Sequence, residues 1–337
     1  MKTTALPSVR CAIVLAGGDG KNLRPLVRHL RGVDLPKQYV TFVGTRSLLN
    51  HTFDRIETLI PANRVYTVLA QDHLRYPEAR KQVAGRAPHT LVVQPRNRET
   101  GPGILLPLVH VQKQHPDAVV AVFPSDHFVF QEDLFMAYVR RAFETAEESP
   151  AKIVFLGAEP GGPEPEYGYI LPDPQKPGDD SKDQSVKAFV EEPETRMAAR
   201  LISLGALWNT MVMVFRAETL LHLLSLSTPK LHSSFQRISK ALGSPDESSR
   251  VTEIYRDLRT QDFCKDLIGP CDLHSRNQFS VLSMRGLFWS DWGSTSRIFS
   301  TLEKLNALDR IRSTPWRGGF SNSFSGAAED AQPAANF

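Results

Sequence analysis

The sequence predicts an α/β fold built on a doubly wound, mostly parallel sheet, with a helical carboxyl-terminal part. Three observations carry that prediction. The apolar run Cys11-Ala12-Ile13-Val14-Leu15 has the length and β-branched content of a buried strand, and it breaks at once into Ala16-Gly17-Gly18-Asp19-Gly20-Lys21-Asn22. Short apolar runs then alternate with helix-period segments as far as residue 148, the rhythm of strand–helix–strand crossovers. A strongly apolar stretch at 118–123 ends in Pro124-Ser125-Asp126-His127, which places a carboxylate at the strand end where such sheets carry chemistry.

The elements follow in order. Residues 1–9 read as a disordered lead. After the first strand and its loop, Leu48, Leu49, Phe53, Ile56 and Leu59 mark a helix over 47–59. Residues 65–70 and 91–93 read as the second and third strands. The run from Gln94 to Gly103 then opens a helix reaching about residue 115, whose first N–H groups face whatever the loop holds. An amphipathic helix spans 133–148. From about residue 157 the chain turns rich in proline, glycine and acid; only 167–171 reads as strand there, and 173–184 reads as a mobile loop. Strands at 186–190 and 207–215 bracket a helix at 194–204. Three or four helices lead to residue 267, a strand covers 279–284, and a helix covers 296–308. The segment 311–337 is rich in Ser, Gly, Ala and Pro and reads as a disordered tail. The expected layout is one domain over 10–310, made of two halves at 10–156 and 157–310.

Composition narrows the function classes. A formal charge of +3 on 337 residues gives no footprint for nucleic acid or an acidic membrane. No apolar run reaches membrane-spanning length, and the amino terminus lacks the apolar region of a signal peptide. Cys11, Cys264 and Cys271 have no metal-type spacing, which favours a reduced, cytoplasmic setting. The sequence leaves open whether the chain forms a homo-oligomer.

The glycine loop after the first strand is suited to an anion, with Lys21, Arg24 and Lys37 near it in sequence, so a nucleotide is the first ligand to consider. Two familiar phosphate loops fail on spacing. Leu23 stands where G-x-G-x-x-G needs its third glycine, and Leu15 stands where the P-loop needs its first. The stretch instead resembles the opening of the sugar-1-phosphate nucleotidyltransferases, L-A-G-G-x-G-x-R-L-x-P-L followed by P-K-Q. Leu15 to Gly18, Gly20, Leu23, Pro25-Leu26 and Pro36-Lys37-Gln38 carry the match, and Tyr39 points to the mannose-1-phosphate guanylyltransferase branch.

That resemblance implies a nucleotide-diphospho-sugar transferase fold, Rossmann-like, and formation of GDP-mannose and pyrophosphate from GTP and mannose 1-phosphate. Asp126 and Asp291 match the family's metal-binding aspartates and would hold Mg²⁺, a hard cation suited to carboxylate, water and phosphate oxygens. A single aspartate at such a place is more often a helix cap; the pair with the loop favours the metal. Lys37, which alone would pass for a surface lysine, would hold phosphates with Lys21 and the loop residues Leu15, Ala16, Gly17, Gly18, Asp19, Gly20 and Asn22. Gln94 would help hold the base. Gly168 of Tyr167-Gly168-Tyr169, Glu191 and Asn209 would hold the sugar, whose vicinal hydroxyls need groups that both donate and accept. His127 reads as a supporting residue.

Three positions depart from the pattern: Asn22 replaces the signature arginine, Glu192 replaces the lysine of V-E-K-P, and Glu99 takes a glycine position. They motivate two further readings, a regulatory or nucleotide-binding paralogue with weakened turnover and an active enzyme with another base or sugar. The pattern ends near residue 310, which leaves no room for the isomerase or β-helix domain of longer relatives.

Overall fold

A computed structural model describes residues 8–174, 183–269, 271 and 277–305. Most of the expected lead, most of the expected loop at 173–184, the end of the helix at 296–308 and the whole expected tail lie outside those residues.

The amino-terminal half follows its apolar runs. β1 (Arg10–Leu15) lies between β2 (Val65–Ala70) and β4 (Val119–Pro124), and β3 (Leu91–Gln94) adds to β2, all parallel. Along β1, Ala12 and Val14 enter one core layer while Cys11 and Ile13 enter the other. Both faces are covered, so the strand reads as continuously apolar rather than alternating. The first face carries α1 (Arg24–Arg31), α2 (Leu48–Glu57), α3 (Pro77–Val83) and α5 (Glu132–Glu148); the second carries α4 (Thr100–Gln114). The Ser47 hydroxyl accepts the Asn50 N–H at 3.1 Å and fixes the start of α2. In register, Leu15 pairs with Val68 and Pro124, and Ala70 with Gln94, so the four strands finish along one edge.

The second half corrects the expectation of a mostly parallel sheet. β6 (Ile153–Ala158), β7 (Tyr169–Pro172), β8 (Gln184–Val190), β9 (Leu207–Arg216) and β10 (Phe279–Met284) complete a nine-stranded sheet of order β3-β2-β1-β4-β9-β6-β10-β8-β7. β9 runs antiparallel between β4 and β6, and β8 runs antiparallel to both β10 and β7. The sheet is therefore parallel on one side and mixed on the other. A buried strand reads as the same apolar run in either direction, so its sense is not encoded in the pattern that identified it. β6 went unread because its four large apolar residues, Ile153 to Leu156, directly precede the proline- and glycine-rich stretch.

α7 (Ala217–Ser227), α8 (Pro229–Ala241) and α9 (Glu247–Asp257) join α4 on the second face, while α6 (Thr195–Ser203) and α10 (Thr295–Lys304) lie on the first. Two short strands matter for the site. β5 (Phe128–Val129) pairs antiparallel with β11 (Trp289–Ser290), Phe128 opposite Ser290. That ribbon ties the segment after β4 to the segment before α10, bringing positions 126 and 291 to one place.

Candidate active site

The glycine loop is shaped from behind by Pro36-Lys37-Gln38-Tyr39. Lys37, Gln38 and Tyr39 are all buried, and Gln38 Nε2 donates to the carbonyls of Ala16 and Gly18 at 2.9 Å each. The Tyr39 hydroxyl lies 3.3 Å from the Ala16 carbonyl and 3.0 Å from His73 Nδ1. These contacts use the inward carbonyls of the loop and leave its far side to the cleft. Gly17 is required by close approach: a Cβ there would stand 2.3 Å from Gln94 Nε2. Asp19 faces His73 at 3.7 Å and Lys21 at 3.9 Å. Lys21 and Asn22, in the helical turn Lys21–Leu23, are exposed.

Lys37 is the centre of the arrangement. Its ammonium donates to the Asp291 carbonyl at 2.7 Å and the Trp292 carbonyl at 3.3 Å, and it pairs with Asp126 Oδ2 at 3.1 Å. The ammonium of the lysine expected to meet phosphate thus donates to two backbone carbonyls, lies in ion-pair range of Asp126 and gathers the two aspartate segments. Asp291 Oδ1 in turn accepts from the Tyr167 hydroxyl at 2.9 Å and from Gly293 N–H at 3.0 Å. Arg297 Nε lies 3.1 Å from the same oxygen, an ion pair whose N–H is not aimed well enough to count as a hydrogen bond. Arg297 also pairs with Glu164 and Glu166 and lies over the Tyr167 ring. Among the described residues no group of three or more His, Cys, Asp or Glu could hold a metal. The two carboxylates are donors suited to a hard cation that keeps waters and takes substrate oxygens, and the Lys37 ammonium and the Arg297 guanidinium already lie beside them. His127 is pushed down to about 4, chiefly by burial, and is neutral at pH 7.

The second group, Gly168, Glu191 and Asn209, also comes together. Asn209 N–H donates to the Gly168 carbonyl at 2.8 Å, and its Nδ2 lies 3.4 Å from Glu191 Oε1. A Cβ on Gly168 would stand 2.5 Å from Glu191 Oε2, so the glycine lets the carboxylate lie against the backbone. Two members had no sequence signal. Cys264, on the π-helical turn Phe263–Ile268, receives Asn209 Nδ2 at 3.2 Å, and its Sγ meets Met211 Sδ at 3.2 Å. The Glu191 carboxyl is pushed up to about 7, first by burial and then by the charge of Asp262. Asp262 also accepts from the Thr100 hydroxyl at 2.9 Å, and that hydroxyl receives Phe263 N–H at 2.8 Å, locking the first turn of α4 to the 260–263 segment.

Two adjoining cavities occupy the cleft. The smaller, about 200 Å³, is walled by the end of β1, Gln94, Thr100, Asp126 and Met211. The larger, about 560 Å³, is walled by residues 18–23, Lys37, Thr260 and Gly293. Gly18, Asn97, Glu99 and Asp126 line both. Gln94 is buried, and its Oε1 has no hydrogen-bond partner among the described residues. Tyr167, Arg297, Asp262, Cys264 and Met211 are the site residues that sequence reasoning missed. Tyr167 lay inside a matched motif; the others become visible through contacts between distant segments.

Fold and site together define a Rossmann-like mixed α/β protein of the nucleotidyltransferase type. The Nucleotidyl transferase family model matches residues 11–307, and the chain belongs to that family. Mannose-1-phosphate guanylyltransferase of Escherichia coli (strain K12) is 29% identical over 291 residues, covering 85% of this chain and 58% of that protein. Xanthan biosynthesis protein XanB of Xanthomonas campestris pv. campestris (strain B100) is 31% identical over 226 residues, covering 67% and 46%. The chain thus spans about half the length of these curated relatives. A solved structure described as mannose-1-phosphate geranyltransferase from Thermus thermophilus matches with a TM-score of 0.71 at 27% identity, covering 91% of this chain and 80% of that one. Among the described residues no helix is long and apolar enough to cross a membrane.

Proposed function

We propose that the chain transfers a guanylyl group from GTP to mannose 1-phosphate, releasing pyrophosphate and forming GDP-mannose, with Mg²⁺ as its metal. The observation that carries this reading is the Lys37 ammonium, which joins the Asp126 and Asp291 segments at the mouth of a glycine-lined cleft. The name of the Escherichia coli relative supports guanine and mannose as the two ligand groups, and the description of the Thermus thermophilus structure supports mannose.

In this reading an oxygen of the sugar phosphate attacks the α-phosphorus, the bond to the bridging oxygen breaks, and pyrophosphate leaves. The chemistry needs alignment and charge neutralisation more than a proton acceptor. Asp126 and Asp291 would hold the Mg²⁺, which when bound supplies positive charge against the phosphate oxygens. Lys37 keeps the two carboxylate segments in register. The loop 16–20 offers backbone to the phosphates, with Lys21 at the exposed lip. Gly168, Glu191 and Asn209 set out acceptors and donors for sugar hydroxyls, and Gln94 sits beside the base. His127, uncharged at pH 7, packs edge-on against Trp289 at 5.1 Å and supports the aspartate next to it.

A second reading, a nucleotide-binding paralogue with little turnover, is favoured by Glu192. It is exposed, stands where the family has lysine, and adds a further negative charge to those that push the Glu191 carboxyl up. The experiment is pyrophosphate release with GTP, Mg²⁺ and mannose 1-phosphate, with Asp126→Ala as control and other nucleotides and sugar phosphates alongside. Turnover lost on that substitution supports the transferase. GTP binding without turnover for any pair supports the paralogue and sinks the first reading.

A further inference from the structure

Glu99 stands in a backbone conformation that glutamate rarely adopts. Its φ of 69° with ψ of −172° lies in a region used almost entirely by glycine. The conformation is held from both sides: Glu99 N–H donates to Asn97 Oδ1 at 2.9 Å, and its carbonyl accepts Gly103 N–H at 3.1 Å in the first turn of α4. Its carboxyl is pushed up by burial, then by Asp262, with Asp19 adding to the effect and Lys21 opposing it. Among the described residues no hydrogen bond or ion pair reaches that carboxylate. Glu99 is exposed to solvent in the free protein, yet it brings backbone strain and like-charge repulsion with no direct partner to offset them. A glycine would avoid both costs, so a role toward a ligand is the physical reason to look for.

The cavities say which ligand. Glu99 lines both of them, and in the smaller it shares the wall with Gln94, whose buried Oε1 is without a partner among the described residues. Two residues lining one cavity, each with an acceptor that has no hydrogen-bond partner among the described residues, call for a ligand edge carrying two neighbouring donors. Guanine presents N1–H beside its exocyclic N2 amino group, whereas adenine and cytosine set one amino group beside an acceptor and uracil sets one N–H between two carbonyls. We propose that Glu99 selects the base: its carboxylate accepts from the N2 amino group of guanine while Gln94 Oε1 takes N1–H. This deepens the guanylyltransferase reading and rests on it for the orientation of the nucleotide. It concerns a residue that stands where the resemblance leads one to expect glycine.

The test is equilibrium binding of GTP and inosine triphosphate, the same purine nucleotide without the 2-amino group, to the wild-type chain, Glu99→Gly and Glu99→Gln. The wild type is expected to prefer GTP by roughly tenfold to a hundredfold, the range for a hydrogen bond to a charged acceptor. Glu99→Gly brings the ratio close to one by weakening GTP, and Glu99→Gln, which keeps an acceptor oxygen, retains part of it. Because Glu99→Gly relieves strain, its melting temperature should not fall, which separates the result from misfolding. An equal GTP-to-inosine ratio in wild type and Glu99→Gly overturns the inference. So does a wild type that binds both alike or neither, or a collapse on Glu99→Gly of GTP preference over 2′-deoxy-GTP in place of the inosine preference. Binding needs no turnover, so a chain that shows the base preference yet releases no pyrophosphate loses the transferase reading and keeps this one.

Discussion

Glu191 should make the stability of the chain depend on pH in a direction opposite to that of most carboxylates. Its carboxyl is raised from the ordinary 4.5 to about 7 by burial and by Asp262. The folded chain therefore keeps a proton that the unfolded chain has released. The contribution of this group is fully favourable below pH 4.5, falls as pH rises, and is lost once pH passes about 7. At about 1.4 kcal/mol for each tenfold change in proton affinity, the whole loss is about 3 kcal/mol, and the window from about pH 5 to about pH 8 contains about 2.5 kcal/mol of it. His127 works the other way: depressed from 6.5 to about 4, it costs stability as pH falls through that range. Between about pH 4.5 and 6.5 the two slopes oppose each other, so the wild-type curve alone hides the effect. Urea unfolding of wild type and Glu191→Gln across the window isolates it, because the amide keeps the shape and removes the titration. The difference in unfolding free energy should move by about 2.5 kcal/mol in favour of Glu191→Gln on going from about pH 5 to about pH 8, with equal m-values. Parallel curves for the two proteins would refute the reasoning, for they would mean that Glu191 ionises in the fold as it does in water.

Two further substitutions probe neighbouring parts of the site. In Gly168→Ala the new Cβ, 2.5 Å from Glu191 Oε2, meets the end of a side chain that can turn away, so the chain folds but the carboxylate leaves Asn209. KM for the sugar phosphate should rise about tenfold or more while GTP binding holds, consistent with one lost hydrogen bond to a charged group; an unchanged KM would remove Glu191 from sugar recognition. Thr100→Val keeps shape but strips the hydroxyl that joins Asp262 to the Phe263 N–H. It should cost about 1–3 kcal/mol by leaving the Phe263 N–H unpaired and taking a donor from Asp262 Oδ2, whose other oxygen keeps the Lys265 N–H, read as a lower urea midpoint at constant m-value.

What the sequence could not carry is mostly a matter of direction and distance. The four parallel strands were legible because each is a contiguous apolar run bounded by turn residues, and the loop after β1 because glycine spacing is local. Strand β9 was visible as a strand but not as an antiparallel one, since burial on both faces erases the sense of the chain. Asp126 and Asp291 were legible through matched motifs, yet nothing local says that β5 and β11 pair to bring them together. Arg297 and Cys264 act through contacts with residues 131 and 55 positions away, Glu166 and Asn209, and neither belongs to a recognisable motif. Lys37 was expected to hold phosphates on its place beside the glycine loop and its match to the P-K motif; nothing local to it says that its ammonium also lies against residues 126, 291 and 292.

The three departures from the family pattern take on a different weight once their backbone is considered. Among the described residues, four other than glycine have positive φ, namely Glu99, Glu192, Met211 and Trp292, and each adjoins a site residue in sequence or in space. Such conformations cost on the order of 1–3 kcal/mol each and persist where surrounding contacts over-determine them. Trp292 shows why: its ring stacks on Phe128 at 4.7 Å, and the turn lets two successive carbonyls, those of Asp291 and Trp292, face the same ammonium. Met211 lies by the Asn209 amide and the Cys264 thiol, which hold it in the same way. Glu99 and Glu192 have the same kind of backbone but no side-chain partner of comparable strength among the described residues, and Asn22 is exposed on the lip of the cleft. What is constrained at these positions is the course of the chain, and the side chains are free to change the field that a ligand meets. In the proposed transferase the departures therefore leave the assembly of Lys37, Asp126 and Asp291 intact and act on charge: one cation fewer where the triphosphate would lie, one anion more toward the base, one reversal toward the sugar. An active transferase and a silent paralogue would share this scaffold, and they would differ in whether Lys21 and a bound divalent cation supply enough positive charge to offset those changes.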